Sequence, residues 1–221
     1  HERRLYQVDI TRTALFHNTL VSLPTGLGKT LIAAVVLYNY RRWFPLGKVV
    51  FCAPTRPLVT QQIQACFEIM GMPLSETAEI SGKTSPKDRK ELWKQRNIFF
   101  CTPQTLVNDL SSEILSCGKS IVCVILDEAH KATGKYDYVS LIPLLEQTGA
   151  RFRIVGLSAT PGTNTKKIQE VISNLRISKI EVRLETDNDV KQYIHGREME
   201  VILIDPNDVV SGIESMWKPI I

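Results

Sequence analysis

The segment Leu23-Pro24-Thr25-Gly26-Leu27-Gly28-Lys29-Thr30 constrains this chain more than any other stretch. It follows an apolar run, Thr19–Leu23, that reads as a strand, and it opens a helix-like run, Lys29–Tyr40. A glycine-rich turn between a strand and a helix is a ready phosphate cradle. Gly26 and Gly28 let the backbone fold tightly, so that N–H groups turn inward. The helix N-terminus adds the positive end of its dipole. Lys29 is spaced to reach β- and γ-phosphates, and Thr30 to offer its hydroxyl to Mg²⁺. Pro24, Thr25 and Leu27 complete the loop. The general pattern carries a glycine six residues before the lysine, where this chain has Leu23, so what remains is TGxGKT.

The rest of the chain repeats the same alternation. Strand-like runs at Lys48–Ala53, Ala78–Ser81, Asn97–Cys101, Ser120–Leu126 and Phe152–Leu157 are interleaved with helix-like runs at Leu58–Met70, Pro86–Gln95, Gln104–Leu110, Tyr138–Gln147 and Lys166–Asn174. Alternating strands and helices imply an α/β fold with a mainly parallel sheet covered on both faces. The strand runs are almost continuously apolar, as doubly covered strands should be. Ligands of such sheets sit at the carboxyl ends of the strands. With 43% hydrophobic and 23% charged residues in 221, the chain can bury a full core. After about Leu184 the pattern weakens. Residues 1–184 are expected to form one nucleotide-binding domain, and 185–221 an extension with one more strand over Glu200–Ile204.

The run Ser120–Leu126 ends in Asp127-Glu128-Ala129-His130. A carboxylate just beyond a buried strand is well placed to hold Mg²⁺ through water, which gives Asp127 that role. Glu128, one residue on, can polarise an attacking water. No apolar run approaches the roughly 20 residues a membrane helix needs. The five cysteines, Cys52, Cys66, Cys101, Cys117 and Cys123, form no CxxC pair and read as reduced, mostly buried thiols of an intracellular protein rather than a zinc site.

Taken together, TGLGKT at 25–30, DEAH at 127–130 and Ser158-Ala159-Thr160 resemble motifs I, II and III of superfamily 2 helicases. Arg4-Leu5-Tyr6-Gln7 resembles their RxYQ form of the Q motif. Ala53-Pro54-Thr55-Arg56-Pro57-Leu58-Val59 resembles motif Ia, and Thr102-Pro103-Gln104-Thr105-Leu106 resembles motif Ib. The longer stretches NTLVSLPTGLGKTLIAAVVLYN, RWFPLGKVVFCAPTRPLVTQQI and LSATPG resemble the Fanconi anaemia group M DNA translocases with their fungal and archaeal relatives. The resemblance spans about residues 1–205. It implies the first RecA-like domain of an ATP-driven motor on branched DNA at stalled forks and junctions, in the nucleus, with DNA-repair proteins as partners. It further implies adenine contacts from Arg4 and Gln7. Ser158 and Thr160 would relay nucleotide state to nucleic acid, and His130 would contact the partner domain.

The segments at Thr55 (Thr55-Arg56-Pro57) and Thr102 (Thr102-Pro103) follow strands and place a Thr and a Pro at or near helix starts. Thr55, Arg56, Thr102 and Gln104 are accordingly expected to hold nucleic-acid phosphates, contacts that read no base sequence; ordinary helix capping is the alternative. Family members contact nucleic acid with a glycine at the position of Gly82, which adds that residue. Lys87, Arg89, Lys90, Lys94 and Arg96 read as a solvated helix with pairs such as Lys87–Glu91. Arg41, Arg42, Trp43 and Phe44 read as capping and packing groups. The net charge of +4 is compatible with nucleic acid without arguing for it.

Residues 161–221 contain no QRxGR-type arginine motif; Arg197, after His195-Gly196, has no such setting. The second RecA-like domain that supplies those arginines is expected elsewhere, beyond a helical insert to which residues 185–221 lead. The chain by itself should therefore bind nucleotide but hydrolyse ATP poorly. Two other readings stay open. One is an RNA-directed superfamily 2 enzyme of the Dicer or RNA-sensor kind. The other is a nucleic-acid-binding module without turnover, against which the intact set Lys29, Thr30, Asp127 and Glu128 speaks. A P-loop kinase would need an acceptor lid that the sequence does not suggest.

Overall fold

A computed structural model describes residues 4–115, 118–160, 162 and 164–194. Their centre is a sheet of seven parallel strands in the order β3-β4-β2-β5-β6-β1-β7. The strands are β1 (Thr19–Ser22), β2 (Lys48–Cys52), β3 (Thr77–Ile80), β4 (Ile98–Cys101), β5 (Ile121–Leu126), β6 (Arg153–Ser158) and β7 (Lys179–Val182). The helices are α1 (Leu5–Phe16), α2 (Lys29–Trp43), α3 (Arg56–Met70), α4 (Pro86–Gln95), α5 (Pro103–Ser111), α6 (Asp137–Gln147), α7 (Thr165–Asn174) and the short α8 (Asn188–Lys191).

Side chains on a strand alternate between faces, and here they divide into two cores. Val49 and Phe51 of β2, with Cys123 and Ile125 of β5, pack against α1, α2 and α3. Their neighbours Val50, Cys52, Val124 and Leu126 face α4, α5, α6 and α7. Both faces are thus apolar, which is why these strands read as unbroken hydrophobic runs. A one-residue slip in register would exchange the two cores, so the pairing Val50↔Phe99 on one side of β2 and Val50↔Val124 on the other is firmly set.

Three elements depart from the sequence reading. Helix α1 buries Tyr6, Ile10 and Ala14, a single stripe at four-residue spacing with Asp9, Thr11, Arg12 and Thr13 between them, so no broad apolar face announced it. Strand β7, Lys-Ile-Glu-Val, is an edge strand that leaves Lys179 and Ile180 exposed, and its charges hide it as a strand. Helix α8 lies beyond Leu184, yet Val190 is fully buried and Tyr193 and Ile194 pack on the core beside α1. The strand expected at Glu200–Ile204, Arg197 and Cys117 lie outside the described residues.

Helix α4 corrects another expectation. Lys87, Lys90 and Lys94 are exposed, but Arg89 is buried. Its Nε donates to Asp109 Oδ1 at 2.9 Å, and the Trp93 indole donates to Asp109 Oδ2 at 2.8 Å. Arg89 Nη1 donates to Thr84 O at 2.6 Å. Asp109 is wholly buried on α5, so this network clamps α4, α5 and the turn around Gly82 into one unit. Glu91 pairs with Lys94 at 3.6 Å. At the far end of α2, Trp43 stacks on Phe16 with centroids 6.3 Å apart, and Arg41 pairs with Glu76 at 2.8 Å. Those residues sit at the opposite end of α2 from the glycine loop. No helix among the described residues is long and apolar enough to cross a membrane.

Candidate nucleotide and nucleic-acid site

The glycine loop, the DEAH turn, Ser158 and Thr160, and the Thr55, Gly82 and Thr102 segments all follow strands at the carboxyl edge of the sheet. The loop 23–28 leaves β1 and enters α2. Gly26 and Gly28 take φ of +86° and +89°, in the left-handed region, where glycine carries no steric cost. At Gly28 a side chain would also collide with the Gln7 amide. Lys29 folds back over its own loop. Its Nζ donates to Leu23 O at 2.7 Å and to Pro24 O at 3.2 Å. Two backbone carbonyls thus hold the ammonium at the mouth of the cradle. Burial lowers the Lys29 pKa, and the charges of Glu128 and Asp127 partly restore it. Thr25 and Gly26 are exposed, Pro24 and Thr30 half-buried, and Leu27 is buried.

Asp127 and Glu128 leave β5 two strands away. The Asp127 N–H donates to Cys52 O at 2.9 Å across to β2. The buried Tyr138 hydroxyl of α6 lies 2.7 Å from Asp127 O and 3.2 Å from Cys52 O. That double anchor fixes where the carboxylate stands. Asp127 is 8% exposed, and burial raises its pKa above the usual 3.8. Its Oδ1 accepts from the Glu128 N–H at 3.0 Å. Glu128 adopts a left-handed backbone with φ of +50°, a conformation that for a non-glycine residue marks a constrained turn.

A third side chain joins the two motifs. Gln62 of α3 accepts from the Thr30 hydroxyl at 3.0 Å, and its amide nitrogen donates to Asp127 Oδ2 at 3.4 Å. One amide therefore spans Thr30 and Asp127. A hydroxyl and a carboxylate facing each other across such a gap suit a hard cation that takes its other oxygens from phosphate and water. Among the described residues no three His, Cys, Asp or Glu side chains cluster as an all-protein cage.

His130 and the end of β6 close the far side. His130 Nδ1 is 2.9 Å from Ser158 Oγ and 3.3 Å from Glu128 Oε2. The Ser158 hydroxyl donates to Thr160 O. Glu128, His130, Ser158 and Thr160 thus form one continuous chain of contacts. The N-terminal segment reaches the loop from α1. Tyr6 OH and Gln7 Nε2 both donate to Leu27 O, at 2.9 Å and 3.0 Å. Arg4 Nη1 donates to Tyr6 OH at 3.3 Å, and the Arg4 guanidinium lies 4.5 Å over the Tyr193 ring.

The remaining residues line the other half of the edge. Thr55 caps α3 by position, but its side chain makes no capping bond, and both Thr55 and Arg56 are exposed. Thr102 does cap α5. Its Oγ1 accepts from the Thr105 N–H at 3.4 Å and meets the Thr105 hydroxyl at 2.9 Å. Gln104 is exposed and, in the amide orientation that satisfies its neighbours, donates to Asp137 Oδ2 of α6 at 3.1 Å. Gly82 lies in an exposed turn between β3 and α4 with open space around its Cα. Cys52, Cys66, Cys101 and Cys123 are buried free thiols, and burial pushes Cys66 up to about 12.

Gln62, Tyr138 and Tyr6 were not singled out from sequence. The signal for Gln62 was present, because a polar residue interrupts the inward stripe Val59, Ile63, Cys66 of α3. Tyr138 gave none, since a tyrosine opening an apolar helix looks like core.

Residues 4–168 match the DEAD/DEAH box helicase family. The Fanconi anemia group M protein homolog of Mus musculus is 50% identical over 99% of this chain, which covers 11% of that protein. The ATP-dependent DNA helicase fml1 of Schizosaccharomyces pombe is 48% identical over 99% of the chain and 26% of its own length. The chain thus spans about a tenth to a quarter of these relatives. Among solved structures, the Hef helicase domain of Pyrococcus furiosus superposes with a TM-score of 0.83 at 33% identity, over 98% of this chain and 46% of that one.

Proposed function

Because the chain belongs to the DEAD/DEAH box helicase family, we propose that it is the ATP-binding first motor domain of a DNA helicase or translocase acting on branched DNA such as stalled forks and junctions. The observation that carries this reading is the convergence of Lys29, Thr30, Asp127 and Glu128 on one end of the sheet, with a row of exposed phosphate-binding candidates continuing along the same edge.

The residues divide the work as follows. On nucleotide entry the Lys29 ammonium exchanges the Leu23 and Pro24 carbonyls for β- and γ-phosphate oxygens. The N–H groups of residues 25–30 converge on the same phosphates at the start of α2. Arg4 and Gln7 hold the adenine, with Gln7 already anchored on Leu27. Thr30 and Asp127 would hold Mg²⁺, which would supply positive charge against the charge that builds during transfer. Glu128 orients and polarises the attacking water. His130 contacts a second RecA-like domain, which supplies the transition-state arginine, while Ser158 and Thr160 relay nucleotide state to nucleic acid. Thr55, Arg56, Gly82, Thr102 and Gln104 hold the sugar-phosphate backbone. Such contacts position DNA without reading sequence, as a motor that moves over any sequence requires. The expected place of action is the nucleus, alongside other DNA-repair proteins.

The test is a competition. A labelled fork DNA bound to the chain should be displaced by unlabelled fork at lower concentration than by duplex RNA. ATP turnover should stay low, since an arginine supplied from another domain is worth roughly 10³–10⁵ in rate in related phosphoryl transfer. Preference for duplex RNA would replace the DNA reading with the RNA-directed one. Fast DNA-stimulated turnover by the isolated chain would remove the need for the second domain.

A further inference from the structure

We infer that Gln62 is a positioning residue for the metal site, the joint through which helix α3 holds the Thr30 hydroxyl and the Asp127 carboxylate in register. The inference rests on the nucleotide-site reading above but adds a group that lies in neither the glycine loop nor the DEAH turn.

The geometry is specific. Gln62 is half-buried on the inward stripe of α3. Its Oε1 accepts from Thr30 Oγ1 at 3.0 Å and its Nε2 donates to Asp127 Oδ2 at 3.4 Å. A primary amide offers an acceptor and a donor side by side at this reach. The polarity matters. A threonine hydroxyl that gives its hydrogen to Gln62 turns its lone pairs outward, which is the orientation a cation needs. A carboxylate that accepts from Gln62 on one oxygen keeps the other free to accept from a water or a backbone N–H, and Asp127 Oδ1 already takes the Glu128 N–H at 3.0 Å. Both bonds leave lone pairs on the Thr30 hydroxyl oxygen and the Asp127 carboxylate, so both could persist with a cation bound. Groups of this kind, which orient the ligands and do not touch the metal, typically change metal affinity by about 10–100-fold when removed.

The helix that carries Gln62 also begins at Thr55 and Arg56. Two helical turns separate Thr55, at the exposed nucleic-acid half of the edge, from Gln62, at the metal site. A rigid α3 that shifts when its N-terminus takes a phosphate would move the amide bridging Thr30 and Asp127. Helix α3 thereby carries both an outer-edge candidate at its start and the amide that hydrogen-bonds to Thr30 and Asp127.

The test uses the whole 221-residue chain and a fluorescent ADP analogue, titrated with Mg²⁺ at fixed nucleotide. Gln62→Ala and the near-isosteric Gln62→Met should bind the analogue in EDTA as the wild type does and melt at the same temperature. Their Mg²⁺ midpoint should rise by about tenfold or more. Lys29→Ala serves as the control and should lose the analogue with and without Mg²⁺. Equal midpoints in wild type and both Gln62 variants, with Lys29→Ala inactive, would overturn the role of Gln62 and leave the nucleotide site standing. Undiminished binding by Lys29→Ala would overturn the nucleotide-site reading and the inference together. A loss of EDTA binding or of melting temperature in both Gln62 variants would show a packing residue and would also overturn the proposal.

Discussion

The two halves of the sheet's carboxyl edge are built on opposite principles. Over β5, β6 and β1 the functional side chains are wired to one another. Lys29 is held by two carbonyls, Thr30 and Asp127 by Gln62, His130 by Ser158 and Glu128, and Gln7 and Tyr6 by Leu27. Over β3, β4 and β2 the candidate residues stand apart from each other. Thr55, Arg56, Gly82 and Gln104 are exposed, and Thr102 is committed to its own helix. The difference matches the ligands proposed for each. A compact triphosphate needs several groups placed within fractions of an ångström, which mutual hydrogen bonds provide. A long phosphate chain needs only a row of donors at roughly the right spacing, supported from beneath. The buried Arg89–Asp109–Trp93 network supplies that support to the outer half, while the outward groups remain adjustable.

Several changes would break or sharpen this contrast. The largest effect is expected at Glu128. In a motor that includes the second domain, Glu128→Gln should lower DNA-stimulated ATP turnover by about 10²–10⁴-fold while nucleotide binding persists; steady-state hydrolysis beside ADP binding separates the two. Next comes the support of the outer half. Asp109→Ala leaves the Arg89 guanidinium buried without its partner and should cost about 3–5 kcal/mol of stability, measured by urea denaturation. A cost below about 1 kcal/mol would mean that α4 and α5 do not depend on that clamp.

Single phosphate contacts should matter less. Arg56→Ala should weaken fork DNA binding a few-fold, equally for all sequences, and reduce the slope of log affinity against log salt by about one. An unchanged slope would remove Arg56 from the DNA surface. The smallest effect concerns Asp127. Its raised pKa reflects burial of a carboxylate, so the folded state holds the proton more tightly than the unfolded chain. Stability from this group is full below the ordinary value near 3.8 and is lost as pH rises through the higher folded value. Asp127→Asn should therefore raise the melting temperature of the nucleotide-free chain slightly at neutral pH, with the gain vanishing in acid. A variant that melts lower at neutral pH would contradict that sign.

The inner half was the more legible in the sequence, for a physical reason. Gly26, Gly28, Lys29 and Thr30 sit consecutively on one turn, and Asp127 and Glu128 on another, so local spacing carries most of the site. Gln62 and Tyr138 act across the fold, and nothing local marks them beyond one polar residue in an apolar stripe. The central strands announced themselves because both faces are buried. Strand β7 did not, because an edge strand carries Lys179 and Glu181. Helix α1 was hidden by its narrow buried stripe, although its four-residue motif was visible. The capping alternative at Thr55 and Thr102 is split by the structure. Thr102 caps its helix and Thr55 makes no capping bond, which leaves the Thr55 hydroxyl the freer of the two to meet a phosphate.

The most direct measurement is a crossed titration of one fluorescent ADP analogue and one labelled fork DNA into the wild-type chain, Lys29→Ala and Arg56→Ala. Loss of a charge-assisted contact of about 2–3 kcal/mol should weaken ADP binding by one to two orders of magnitude in Lys29→Ala and leave its fork binding near wild type. Arg56→Ala should keep ADP affinity and weaken fork binding a few-fold. If both variants lose both ligands together, or if Lys29→Ala still binds ADP as tightly as the wild type, the division of the sheet edge into a nucleotide half and a nucleic-acid half is wrong.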